Sequence, residues 1–260
     1  MRLHYAAWKP LVLAGTLLAG SALAGEPQPL DALVSAGYYG RYVWRGQNVN
    51  DAGVLQTSVS GGAYGFTGSV WANIDLTGDS QFAPGNAGDF SEIDYALDYS
   101  RPVPGVPGVG FSAGVIHYLF PNTPAPSTTE IYGGLSLDIP ASPTVTWYRD
   151  VNAVDGSYLQ IAAGHTFETI AGPDSGCRVG LSLGGSLAVA GPGYNRGYFG
   201  VDRTGLNDLT IGIGVPLSLR QWSITPSLNL ATMLSGEIGD AGFEGKRTNV
   251  WFGLEFSKSF

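Results

Sequence analysis

Asn249–Phe260 constrains this chain more than any other stretch. Val250, Phe252, Leu254 and Phe256 share one parity, while Asn249, Trp251, Gly253, Glu255, Ser257 and Ser259 share the other. Period-2 alternation of this kind describes a strand with one oily and one polar face. The run closes on Lys258, Ser259 and aromatic Phe260. A frayed oily end is a liability in water, but it suits a strand with lipid on one side and a polar lumen on the other. Phe252, Leu254, Phe256 and Phe260 are therefore expected to mark the closing strand of a membrane barrel.

The opposite end points to export. Arg2 and Lys9 make a positive n-region, Leu11–Leu18 a short apolar core, and Ala22-Leu23-Ala24 an A-x-A cleavage site. Residues 1–24 thus read as a cleaved signal peptide, too short for a membrane span, with residues 25–260 as the mature barrel. No cysteine lies near residue 25, so a lipid anchor is not indicated, and lone Cys177 has no internal disulfide partner. The net charge of −8 becomes more negative once Arg2 and Lys9 leave. That acidity argues against a nucleic-acid partner.

Alternating segments recur from residue 34 onward, separated by Gly, Pro, Asn and Asp clusters. They fall at 34–46, 54–64, 66–76, 90–101, 109–120, 130–139, 144–150, 157–167, 178–190, 206–216, 222–234 and 247–260. Twelve is an even number, as single-chain bacterial barrels have, and most segments approach the 9–11 residues a tilted strand needs. The reading is all-β: a single antiparallel up-and-down transmembrane β-barrel of about 12 strands. Loops at 47–53, 77–89, 121–129, 151–156, 191–205 and 235–246 would face outward, with shorter turns and both termini in the periplasm.

A soluble sandwich also alternates, but its exterior is rich in Lys and Glu. Here the polar parity is Gly, Ser, Thr, Asn and Asp, and only 13% of residues are charged, which favours the membrane barrel. Tyr38, Tyr42, Trp44, Tyr95, Tyr99, Trp222 and Phe256 lie towards strand ends, as an aromatic girdle would.

Four short motifs resemble a known group. Tyr42-Val43-Trp44-Arg45-Gly46 resembles the Y-x-x-R-G motif of the TorF-type porins, a proteobacterial outer-membrane family. Val70–Asp75 (VWANID) is similar to that family's third strand, Glu92-Ile93-Asp94-Tyr95 to its fourth, and Ser257–Phe260 to its S-K-S/T-F close. Asn48-Val49 stand where the family has Ser-Gln after R-G. The resemblance implies an outer-membrane barrel and a channel, without a substrate.

If the oily parity faces lipid, the other parity lists the lumen. It contains Arg41 and Arg45 on the first strand, Asn73 and Asp75 on the third, and Glu92, Asp94 and Asp98 on the fourth. Glu130, Asp138, Arg178 and Asp208 continue around, with Arg247 and Glu255 on the last strand. Arginines at the seam and carboxylates opposite would orient polar solutes, and the excess of acid favours cations. Twelve strands lie between filled and open barrels. An open channel for small polar or charged solutes with weak cation preference is the first reading. A plugged structural or ligand-binding barrel is the alternative, and Gly191–Tyr198 would be a ligand contact, an inward-folding plug or, as loops of this composition more often are, a solvated connection. A hydrolase is the weakest, because only His117 and His165 follow the leader and neither sits in a hydrolase motif. No catalytic residue, cofactor or metal is expected. The expected partners are outer-membrane lipid, periplasmic chaperones, the barrel-assembly machinery and small solutes.

Overall fold

The computed structural model describes residues 31–80, 82–85, 87–172, 176–241 and 245–260. The signal-peptide expectation lies outside the described residues. Strands follow one another as β1 (Asp31–Tyr39), β2 (Tyr42–Trp44), β3 (Gln47–Asn50), β4 (Val54–Ala63), β5 (Phe66–Asp75), β6 (Phe90–Pro102), β7 (Val109–Leu119) and β8 (Thr128–Leu137). Then come β9 (Thr144–Asp150), β10 (Ser157–Ala171), β11 (Cys177–Ala190), helix α1 (Pro192–Phe199), β12 (Gly205–Gly214), β13 (Leu217–Leu219), β14 (Trp222–Met233), helix α2 (Gly236–Ala241) and β15 (Thr248–Ser259).

Every pairing is antiparallel, and the sheet closes on itself. β10 pairs with β11, and β1 pairs with β15 through Leu33↔Ser259 to Tyr39↔Gly253. β13 continues the line of β12 beside β11 and β14. The result is a 12-stranded antiparallel barrel without free edges, the form in which a sheet satisfies its backbone in lipid. The small β2–β3 pair stands apart from it.

The alternation has the physical meaning expected of it. Val59, Val70, Leu97, Ile131, Trp147, Ile161, Leu187, Ile211, Leu228 and Phe252 form an exposed apolar belt. That surface is unsuited to water and suited to acyl chains. The opposite parity fills the interior, and it changes character along the barrel axis. Near the short-turn end it is Ser35, Ser58, Ser60, Thr67, Ser69, Ser112, Thr146 and Ser257, all half-buried. Near the long-loop end it is large and packed, including Tyr118, Tyr132, Tyr148, Tyr158, Met233 and Trp251.

The first expected strand, 34–46, is corrected. β1 ends at Tyr39, and Tyr42–Asn50 doubles back as a hairpin instead of continuing the wall or forming an outward loop. Its local cause is the Arg45-Gly46 pair, with φ of 47° and 79°. Two central residues at positive φ make the tight turn whose twist suits a two-residue hairpin. Tyr42 and Trp44 consequently leave the expected girdle and are buried. Tyr38, Tyr95, Trp222 and Phe256 remain on the exposed outer face.

Candidate functional site: a hairpin folded into the barrel

Tyr42–Trp44 and Gly46–Asn50 are buried, although they follow a strand that has already reached the barrel rim. Their contacts show where they lie. The Tyr42 hydroxyl donates to Glu92 of β6 at 2.7 Å, and its ring packs 5.7 Å from Trp71 of β5. Trp44 meets Tyr118 of β7 edge-on at 6.4 Å and Tyr198 of α1 at 5.2 Å. A Cβ placed on Gly46 would lie 2.5 Å from both Asp208 Cβ on β12 and Met233 Sδ on β14. A segment that touches β5, β6, β7, β12 and β14 lies inside the barrel.

Arg45, at the tip, is the centre of this arrangement. Its two terminal nitrogens donate to the two Glu130 oxygens of β8 at 2.8 and 2.7 Å, a bidentate fork. The side chains are 6% and 1% exposed, so water screens the pair little. Rings surround the guanidinium: Trp44, Tyr148 of β9, Tyr158 of β10 and Tyr194 of α1 lie 4.3 to 5.7 Å from it. Such distances are those of cation–π contacts. Tyr118 donates to Glu130 at 2.9 Å and Tyr158 to Asp208 at 2.8 Å, fixing both carboxylates. An arginine at positive φ costs about 1–2 kcal/mol of backbone strain, and the fork and cage offset it.

Helix α1 completes the packed layer. Pro192 starts it, and Gly200 ends it at φ 69°, a left-handed cap that glycine adopts without strain. Tyr194, Asn195 and Phe199 are buried, so Gly191–Tyr198 folds inward. Asn195 donates to the Ala190 and Arg203 carbonyls and pins the loop to β11.

The hairpin's foot is tied at the rim. Arg41 lies 2.7 Å from Asp51, Lys246 bonds the same carboxylate, and Arg41 also donates to the Val250 carbonyl at 3.1 Å. Burial works against the Asp51 charge, but hydrogen bonds from Lys246 and Asn48 and the Arg41 charge hold its carboxyl below the usual range.

The expected lumen residues sort into three groups. Asn73, Asp75, Glu92, Asp94, Asp98, Glu130 and Asp208 are buried inside the barrel, and Glu255 accepts from Tyr39 at 3.2 Å. Arg45 is inside too, on the hairpin and not on the wall. Arg41 and Arg247 are corrected, whereas Arg178 keeps the inner parity of β11 that Ser182 and Ser186 share. Arg41 sits at the rim; Arg247 is 48% exposed and paired with Asp240 of α2 at 2.6 Å. Arg178 and Asp138 are exposed near the short-turn end. The expected arginine wall facing a carboxylate wall is therefore absent: Arg45 crosses from the seam to Glu130. Sequence reading missed the tyrosines around the Arg45–Glu130 pair: Tyr118 on Glu130, and Tyr148, Tyr158 and Tyr194 against the guanidinium. Three of these share parity with an acid on their own strand or its neighbour, which was the available signal.

His117 and His165 both take the outward parity, His117 against Thr129 at 2.9 Å and His165 edge-on to Phe167. Among the described residues no group of three or more His, Cys, Asp or Glu side chains is disposed to hold a metal ion.

Because the turn is this tight, Gly46→Val should expel the hairpin tip. The added carbons meet Asp208 and Met233, and a β-branched residue strains φ of 79°. Proteolysis of Tyr42–Asn50 in the refolded, still heat-modifiable barrel checks this; protection equal to wild type would contradict it.

No protein-family model matches the chain, and no curated protein matches it. Solved structures share its fold. The NanC porin matches with a TM-score of 0.50 at 14% identity, covering 89% of this chain and 99% of the porin. LpxR from Salmonella typhimurium matches with a TM-score of 0.51 at 10% identity, covering 87% and 99%. At such identities the likeness speaks to the fold, which is that of an outer-membrane β-barrel.

Proposed function

We propose that this protein is an outer-membrane channel for small polar or charged solutes that rests closed, with the Tyr42–Asn50 hairpin as its plug. One observation carries the reading. The short-turn half of the lumen is lined mainly by half-buried serines and threonines, with Asp98, Ser100 and Ser182 buried among them, whereas the long-loop half is closed by a hairpin that is not part of the wall. A barrel meant only to be solid has no need of small hydroxyl side chains over half its length. The Y-x-x-R-G motif, one of four on which the resemblance to TorF-type porins rests, forms the turn of this plug. Short turns face the periplasm in such barrels, so the plug closes the extracellular half. The chain reaches the Gram-negative outer membrane after removal of residues 1–24, with periplasmic chaperones and the assembly machinery as its partners.

Buried acids outnumber buried bases around the plug: Asp75, Glu92, Asp94, Asp98, Glu130 and Asp208 against Arg45. Acidic walls in a low-dielectric channel favour cations. A hydrolytic role is disfavoured, since His117 and His165 face away from the lumen and leave no histidine base beside it among the described residues.

The density of contacts at Arg45 favours a second reading, a permanently plugged barrel. Planar-bilayer recording separates the two. Wild-type protein should show low, intermittent conductance, and replacing residues 41–52 with a Gly-Ser linker should give a steady open current. In that open form, changing Glu92 and Glu130 to Gln and Asp94 and Asp98 to Asn should move the reversal potential towards anions. The effect should shrink at ~1 M salt, where the screening length is about 3 Å. A folded linker variant that passes no current leaves the plugged barrel as the answer.

A further inference from the structure

We infer that the cage around Arg45 is a binding site for guanidinium-bearing solutes, and that the plug closes the barrel by placing its own arginine in that site. Three of the five groups that form the cage belong to the wall. Glu130, Tyr148 and Tyr158 come from β8, β9 and β10, and Tyr194 from α1; Trp44 alone travels with the hairpin. It keeps its shape through bonds that do not involve Arg45. Tyr118 holds Glu130, Tyr158 is fixed by Asp208, and the Tyr148 and Tyr158 rings pack at 6.2 Å.

The chemistry selects a guanidinium over an ammonium. Glu130 presents both oxygens to a planar fork at 2.8 and 2.7 Å, which a point-like ammonium cannot use bidentately. Rings at 4.3 and 4.6 Å suit a flat, weakly hydrated cation. The occupant is also separable from the site. Arg45 sits on a two-residue turn at positive φ, and among the described residues the two hairpin strands pair with each other and with no wall strand. A guanidino solute arriving through the lumen meets the same carboxylate and rings, so it competes with Arg45 and favours the undocked plug. This deepens the channel reading, on which the gating consequence rests; the binding itself does not depend on it.

The test uses refolded Arg45→Ala, titrated with methylguanidinium or methylammonium chloride at constant ionic strength. Ligands that bind the native state raise the thermal midpoint. Methylguanidinium should raise that of Arg45→Ala saturably, at concentrations roughly tenfold lower than methylammonium needs, as bidentate recognition implies. The rise should vanish in Arg45→Ala/Glu130→Gln. Equal responses to the two cations, or a response that survives Glu130→Gln, would overturn the inference. Should Arg45→Ala not refold alone, methylguanidinium in the refolding buffer should restore it, and failure to do so counts equally against the site. In bilayers, methylguanidinium should reduce the current through Arg45→Ala. Midpoint shifts without any current in that variant would refute the channel and leave the cage standing.

Discussion

Glu130→Ala is expected to be the most damaging single change inside the barrel, costing about 3–5 kcal/mol of stability, because it strands the Arg45 guanidinium without its counter-charge. Glu130 is 1% exposed and accepts three hydrogen bonds, two from Arg45 and one from Tyr118. Removing it orphans all three donors at once. The hairpin gives the protein an escape that a core residue lacks: the tip can leave the cage and rehydrate Arg45. The loss then divides between a lower urea midpoint and a larger open probability, and the two measurements must be read together. Arg45→Met combined with Glu130→Ala removes both charges and should recover much of the loss, since a buried pair replaced by apolar groups is often near neutral. A double variant no more stable than Glu130→Ala alone would show that the pair is not the unit that matters.

The parity of the barrel was readable because lipid enforces it. Most positions of the outer face are apolar or small, so alternation survives from β4 to β15, and the expected segments match the strands to within a few residues. What failed was the segment that lipid never touches. Tyr42–Asn50 carries aromatic, charged and amide side chains much as a wall strand would, and one turn signal alone separates a strand that crosses the membrane from one that turns into the lumen. The Arg45-Gly46 pair was the available signal. Arg-Gly is a less common turn than Asn-Gly or Asp-Gly, and it needs a partner for the arginine before positive φ becomes acceptable. That partner, Glu130, stands eighty-five residues along the chain. For the same reason the acids were legible as interior residues, while their pairing was not. Parity gives the face of a strand; it does not say what crosses the lumen to meet it. Arg247 shows the converse error. It sits one residue before β15 begins, so parity no longer governs it, and Asp240 of α2 draws it to the rim.

Placing a charge on the two faces should separate them most clearly. Phe252 is near the middle of β15, 47% exposed on the apolar belt, and pairs with Leu228 of β14, itself 53% exposed. Phe252→Arg should cost about 2–4 kcal/mol, the range for a cationic side chain at the bilayer midplane, and reduce the heat-modifiable, membrane-inserted fraction accordingly. Ser112 supplies the contrast. It lies on the inner parity of β7, half-buried, opposite Ser100 and Gly134, where small neighbours leave room. Ser112→Lys puts its ammonium in the short-turn half of the lumen, near enough to the Asp98 strand to find counter-charge, and should change stability by under about 1 kcal/mol. In the linker form lacking the plug it should also shift the reversal potential towards anions, because fixed charge in a narrow lumen sets the local ion concentration. Equal stability losses from the two substitutions would mean that both faces are packed against protein, as in a soluble sandwich, and the membrane reading of the belt would fall. A tolerated Ser112→Lys that leaves selectivity untouched would instead place the current outside this barrel's lumen.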